Sequence, residues 1–191
     1  MDRRQRIANA GIALIARGGT HRLTHRAVDA EAGLPNGSTS YYARSRHDLI
    51  RLVMEQLSAE SQADLTDIEV PEKLTVRQAT DLVGRLAKRL ILNGGAQAAR
   101  FALMFEVRDD DELRRELTVD APVRSSFNEK AVKLLRALGA TDPEGTAPEF
   151  VALVDAVLMY RAVEAAPIDP VGVVETYLTG LLVRQKPTAT R

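Results

Sequence analysis

Apolar positions recur at helical spacing through most of this chain, and no segment alternates with a period of two for long enough to form a strand. Ile7, Gly11, Leu14 and Ile15 mark one face of a first helix over about residues 2–17, stopped by Gly18-Gly19. Thr24 opens a second helix, with its hydroxyl placed to accept from a free N–H of the first turn, and Leu23 and Val28 form a hydrophobic staple around it. Ala27, Val28 and Ala32 face inward, Gly33 ends the helix and Leu34 plugs the turn. Pro35 suits the first position of a short third helix, about Pro35 to Tyr42. A fourth helix starts near Arg46 or His47 and carries Leu49, Ile50, Val53 and Leu57 on one face.

The stretch Thr66–Leu74, with Pro71 and several charges, reads as a junction. Thr75 and Gln78 then make a capping box for a fifth helix whose inner face is Ala79, Val83, Leu86, Leu90 and Ile91, ended by Asn93-Gly94-Gly95. A sixth helix covers about Ala96–Val107, and Asp109–Glu112 opens a seventh that Pro122 kinks or divides. After a loop at Gly139–Ala147, two last helices run over about Pro148–Glu164 and Pro170–Gln185. The pattern predicts an all-α fold of about nine helices. A three-helix head with a helix-turn-helix occupies residues 1–48, a helical bundle residues 49–185, and a disordered tail residues 186–191.

Composition narrows the chemistry. With no cysteine, disulfides, thiolate catalysis and cysteine zinc sites are excluded. No apolar run approaches the roughly 20 residues that span a bilayer, and no apolar signal core follows the charged N-terminus, so the expectation is a cytoplasmic, nucleoid-associated protein without a membrane partner. Net charge is zero but unevenly spread. Residues 1–54 hold nine bases against four acids, a net +5, which leaves −5 for the remainder. A basic head on an acidic body suits a polyanion partner.

The segment from Leu23 to Leu49 carries the most specific chemistry. In a helix-turn-helix the first helix braces on the DNA backbone and the second lies in the major groove. Pro35, Asn36, Gly37, Ser38, Thr39 and Ser40 are small enough for close approach; Asn36 can bond base edges, and Pro35 or the Thr39 methyl can touch a thymine methyl. Tyr41 and Tyr42 carry hydroxyls within reach of phosphates, Thr24 and Arg46 bracket the unit for phosphate contact, and Arg26 can reach a guanine or the backbone. The histidines His21, His25 and His47 share no helical face, which argues against a metal site. No nucleophile elbow, metalloprotease motif, phosphate-cradling loop or convincing acid–base pair stands out, so neither an enzyme nor a cofactor is expected.

These residues, with Ile7, Ala10, Leu14-Ile15, Gly18, Val28, Ala32-Gly33-Leu34, Ser45-Arg46 and Leu49 at ungapped spacing, resemble the head of the tetracycline-repressor family of bacterial regulators. The block Gly37-Ser-Thr-Ser-Tyr-Tyr followed by Arg44-Ser45-Arg46 is similar to an actinobacterial-type variant. The chain departs from the common pattern at Thr39-Ser40, where many members carry Leu-Tyr, and at Ala43, where an aromatic is usual.

The resemblance implies a homodimer that binds a palindromic double-stranded DNA operator. It also implies an interface on the last two helices, for which the candidates are Phe150, Val154, Val157, Leu158, Val174, Tyr177, Leu178 and Leu181. It further implies a pocket for a small-molecule effector in the bundle, with candidates Phe101, Met104, Phe105, Arg108, Phe127, Asp155 and Met159. The function so implied is ligand-responsive transcriptional regulation, as a repressor released by its effector, with the fourth helix as lever. The competing readings are a helical small-molecule carrier, an enzyme built on a cavity in residues 75–185, and an architectural or protein-docking module; in these the helix-turn-helix is only structural.

Overall fold

A computed structural model describes residues 1–184 and consists, among them, of ten α-helices and one 3-10 turn, with no strand. The helices are α1 (Arg3–Gly18), α2 (His25–Glu31), α3 (Ser38–Tyr42), α4 (Arg46–Thr66), α5 (Val76–Leu92), α6 (Gly94–Glu106), α7 (Asp111–Leu117), α8 (Pro122–Ala137), α9 (Pro143–Ala162) and α10 (Pro170–Arg184). The all-α architecture agrees with the sequence reading; the expected tail at residues 186–191 lies outside the described residues, as does Gln185.

Local sequence explains most boundaries. Asp2 caps α1 in a reciprocal capping box with Gln5, and Gly19, at φ 79°, ends it. Thr24 caps α2 as expected, its Oγ1 accepting from Ala27 N at 3.2 Å. The Thr75–Gln78 box forms, with Thr75 N donating to Gln78 Oε1 at 2.9 Å and Gln78 N to Thr75 Oγ1 at 3.3 Å.

One boundary settles an alternative the periodicity left open, and two differ from it. Pro122 divides the long seventh pattern by opening α8, which turns nine expected helices into ten. The loop expected to run to Ala147 ends early, because Asp142 accepts from Gly145 N at 3.0 Å and Pro143 takes the first helical position of α9. Pro148 therefore lies inside α9 and costs it the bond to the Glu144 carbonyl. Finally, α3 begins at Ser38 and not at Pro35. Pro35 instead starts a turn closed by Ser38 N donating to Pro35 O at 3.1 Å.

The helices divide by packing into two compact units, one of residues Met1–Ala63 and Asn93–Arg124, the other of Asp64–Leu92 and the chain from Ser125 onward. This division cuts through α4 and α8 and differs from the functional boundary expected at residues 48/49. In the first unit Ile7, Ile15, Leu23, Val28, Leu49 and Val53 share one core with Leu103 and Val107 at the end of α6 and Leu113 of α7. Gly11 permits α1 and α4 to approach: a Cβ there would stand 2.5 Å from Val53 Cγ2. In the second unit Leu82 and Val83 of α5, Leu134 and Leu135 of α8, Phe150 and Val151 of α9, and Val174 and Leu178 of α10 form a separate core. No helix among the described residues is long and apolar enough to cross a membrane.

Candidate nucleic-acid interface

The helix pair α2–α3 is joined by Ala32 to Gly37. Gly37 has φ 91° and ψ −6°, the third-position geometry of a type II turn, which a side chain strains and glycine does not. The next turn is fixed by a residue the sequence reading passed over. Asp29 on α2 is 1% exposed. Its Oδ2 accepts from Gly37 N at 2.7 Å, and its Oδ1 accepts from Thr39 N at 2.7 Å and from Thr39 Oγ1 at 2.6 Å. Burial pushes this carboxyl up, but the bonds from Thr39 and Gly37, with nearby His25, outweigh it and hold the group below the usual aspartate range. At the other end of α3, His25 Nε2 lies 2.8 Å from the Ala43 carbonyl.

This scaffold sorts the expected DNA-facing residues. Thr24, Arg26, Pro35, Asn36, Gly37, Ser40, Tyr41 and Tyr42 are exposed, Tyr41 at 81%, and the two tyrosine rings meet edge to face at 5.1 Å. Ser38 is half-buried and its hydroxyl donates to Pro35 O at 2.6 Å. Thr39 is a correction: at 0% exposure, with its hydroxyl spent on Asp29, it cannot reach a thymine methyl.

Arg46 is a second correction. Its guanidinium donates to Leu23 O at 2.7 Å, Thr20 O at 3.0 Å and Glu106 Oε1 at 2.8 Å, so it is committed within the unit and not aimed at a phosphate. Arg46 first, then the Thr20 hydroxyl, hold the Glu106 carboxyl below its usual range against the opposing effect of burial. Other head bases are similarly engaged: Arg17 with Glu31, Arg4 with Glu55, Arg51 with Glu112 and Glu116. Arg6 donates to the Ala32 carbonyl at 2.7 Å. Arg3, Arg22, Arg26 and Arg44 are exposed without such an ion pair among the described residues, and these four bases remain to meet a polyanion.

A second candidate site lies in the other unit. An apolar cavity of about 60 Å³ is lined by Leu82, Leu86, Ala131, Leu134, Val151 and Leu158, among others, with Lys130 and Asp155 as its charged members. Lys130 Nζ donates to the Ile68 carbonyl. Of the expected pocket residues, Phe127 and Asp155 line this cavity and Met159 does not. Phe101, Met104, Phe105 and Arg108 belong to the first unit. Phe101 is buried there beneath Arg100, whose guanidinium stands 4.3 Å from the ring centroid, while Phe105 is 68% exposed.

A larger hollow in the first unit is lined by Arg51, Glu55, Glu116 and Asp120, but these charges are already matched, by Glu116, Arg4, Arg51 and Arg115 in turn. Among the expected interface residues, Phe150, Val157, Leu158, Val174 and Leu178 are buried within the single chain, and Val154, Tyr177 and Leu181 pack partly against the same core. Tyr177 stacks on Phe150 at 5.7 Å, and burial, then Glu149, raises its hydroxyl pKa.

The comparisons with known proteins agree with this architecture. Residues 74–184 match the family described as tetracyclin repressor-like, C-terminal domain. A TetR-family member (SCO1917) from Streptomyces coelicolor A3 is 28% identical, with a TM-score of 0.65 over 95% of this chain and 98% of that one. The multidrug binding protein EbrR complexed with ethidium is 29% identical, with a TM-score of 0.63 over 94% and 98%. A transcriptional regulator (RHA1_ro04179) from Rhodococcus sp. Rha1 reaches a TM-score of 0.78 over 96% and 97% at 14% identity, a likeness of fold alone. No curated protein matches the chain. With a family match that covers more than half its length, the chain belongs to the tetracyclin repressor-like family of transcriptional regulators.

Proposed function

We propose that this protein is a ligand-responsive repressor that binds a two-fold symmetric DNA operator as a homodimer. The observation that carries this reading is the α3 segment, where Asn36 in the entering turn and Ser40 and Tyr41 on the rigidly anchored short helix stand exposed. Arg26 and Arg44 flank it as bases without an internal ion pair among the described residues. Asn36 and Ser40 are suited to base edges, Tyr41, Tyr42 and Thr24 to sugar and phosphate oxygens, and the arginines to phosphate.

Dimerisation is best served by the outward faces of α9 and α10, since many of the originally expected side chains are used inside the chain. On α9, Ala152, Ala156 and Tyr160 recur at four-residue spacing and remain exposed, continued by Val163. On α10, Thr176, Gly180 and Val183 are exposed. Small and apolar residues in that arrangement allow helices of two copies to approach closely.

The effector would be a compact, mainly apolar molecule in the cavity of the second unit. EbrR, at 29% identity, was solved with ethidium, a flat aromatic cation, which makes an aromatic ligand a reasonable first class to screen. A cavity of about 60 Å³ is small beside pockets for drug-sized ligands, roughly 300–1,000 Å³. Entry of such a ligand therefore requires the walls to part, and that differential fit is what would couple the cavity to DNA affinity.

Selection of bound duplexes from a random pool tests the DNA reading. The expected product is a palindrome with half-sites about one helical turn apart. Absence of any enriched sequence would overturn it.

A further inference from the structure

A five-residue helix such as α3 cannot hold its own direction in water. Here both of its ends are tied to one helix. His25 and Asp29 are four residues apart and so share a face of α2. Asp29 receives three hydrogen bonds where the chain enters α3, two from the backbone of Gly37 and Thr39 and one from the Thr39 hydroxyl. His25 meets the carbonyl of Ala43 at 2.8 Å, at the residue that ends α3. That carbonyl can only accept, so the imidazole carries its proton on Nε2. Between these anchors Ser40 and Tyr41 are left pointing away from the core.

We propose that Asp29 and His25 are positioning residues for DNA reading, a two-point polar clamp through which α2 sets the pose of α3. The inference rests on the reading of α3 as the base-reading element. Apolar packing alone would leave α3 free to rotate and slide by small amounts, because it is non-directional; hydrogen bonds of 2.6 to 2.8 Å at both ends fix rotation and tilt together. The clamp also accounts for a feature that is otherwise adverse. A carboxylate directly beneath a DNA-facing helix repels phosphate, and it is kept here because it organises the helix above it.

The sign of that repulsion supplies the test. Asp29→Asn removes a negative charge at almost constant shape, so electrostatics alone would strengthen binding to every duplex. The same change replaces one acceptor oxygen by an amide donor facing backbone N–H groups, so a broken clamp would weaken binding to the operator. The full-length protein and its variants are titrated, at fixed salt, against the duplex selected by the wild type and against a shuffled duplex. Asp29→Asn is expected to lose about tenfold or more on the selected duplex while its affinity for the shuffled one stays level or rises. In parallel, hydrogen exchange at the Gly37 and Thr39 amides should accelerate.

His25→Leu should lose selectivity similarly, and His25→Gln, which keeps a donor for the Ala43 carbonyl, should largely retain it. Selectivity in folded Asp29→Asn within about twofold of wild type overturns the clamp. If circular dichroism shows that variant unfolded, the His25 pair decides, and equal selectivity in His25→Leu and His25→Gln overturns it. A wild type that prefers no sequence would instead remove the DNA reading itself, an outcome distinct from a selective wild type whose variants are equally selective.

Discussion

Arg46 and Glu106, sixty residues apart in the chain, meet at 2.8 Å and close the first unit around the beginning of α4. The same guanidinium holds the carbonyls of Thr20 and Leu23, so one side chain links the turn before α2, the start of α4 and the end of α6. Arg46→Ala should therefore cost folding stability, about 1–2 kcal/mol, a figure held low because the guanidinium is 44% exposed and partly screened. Urea unfolding measures that loss. The dependence of DNA affinity on salt should be unchanged, since Arg46 is not spent on a phosphate. A drop in the log–log slope of about 0.9 would assign it back to the DNA surface.

Gly37 separates strain from space. A Cβ at this position would meet nothing within 4 Å, so any cost of Gly37→Ala comes from the backbone at φ 91° and not from a clash. The expected destabilisation is about 1–2 kcal/mol, with Gly37→Asn milder because asparagine tolerates this region better. Thermal unfolding of the two variants checks the order; equal losses would mean that the turn relaxes.

Much of the helical layout was legible because caps are local. Thr24, and Thr75 with Gln78, announce their helices within four residues, and the structure uses them as written. Prolines were harder to read. Pro122, Pro143 and Pro148 all suit an early helical position, and only the Asp142 bond to Gly145 shows that α9 opens at Pro143. The site was half legible: exposure of Asn36 and Tyr41 followed from their types, but the buried roles of Asp29 and Thr39 did not. Asp29 is paired with residues eight and ten positions on, and its one sequence signal was a charge beside Val28 on the inward face of α2. Arg46 read as a phosphate ligand because its partner lies so far along the chain. Phe101 and Phe105 read as pocket lining for the same reason, since only three-dimensional packing puts α6 in a unit with α1.

The Asp29 carboxyl should make the head acid-sensitive in a defined window. In the unfolded chain it titrates at about the ordinary value of 3.8, and in the folded chain it is held lower. Above 3.8 both states are ionised and the full contribution to stability is present. As pH falls below that value the unfolded chain takes up a proton that the folded chain refuses, so stability declines until the folded-state value is passed and the contribution is gone. Thr39→Val removes one of the bonds that lower the folded value and should flatten this decline. Urea midpoints measured from pH 5 down to pH 2 for both proteins give the comparison, and superimposable profiles would contradict it.

Asn36 and Arg26 should report different kinds of DNA contact. Asn36→Ala is expected to relax preference at one base pair of each half-site, by roughly 1–3 kcal/mol, with little effect elsewhere. Arg26→Ala should weaken binding to all duplexes together and lower the salt slope by about 0.9. Repeating the random-pool selection with each variant, alongside salt titrations, distinguishes base reading from backbone contact; the same response in both variants would refute the division of roles.

Ala131 offers a way to close the candidate effector cavity without touching the head. It is buried in α8 and lines the cavity together with Leu134 and Phe150. Ala131→Leu adds three carbons to a space of about 60 Å³, enough to occupy much of it. If the cavity is the effector site, a compound that raises the melting temperature of the wild type and releases it from DNA should do neither in this variant, while the variant still binds its operator. Some loss of stability is tolerable to the argument, since overpacking a core costs about 1–3 kcal/mol. A variant that remains fully responsive to the compound would place the effector elsewhere, whereas one that loses DNA binding without any ligand would show that filling the cavity itself drives the released state.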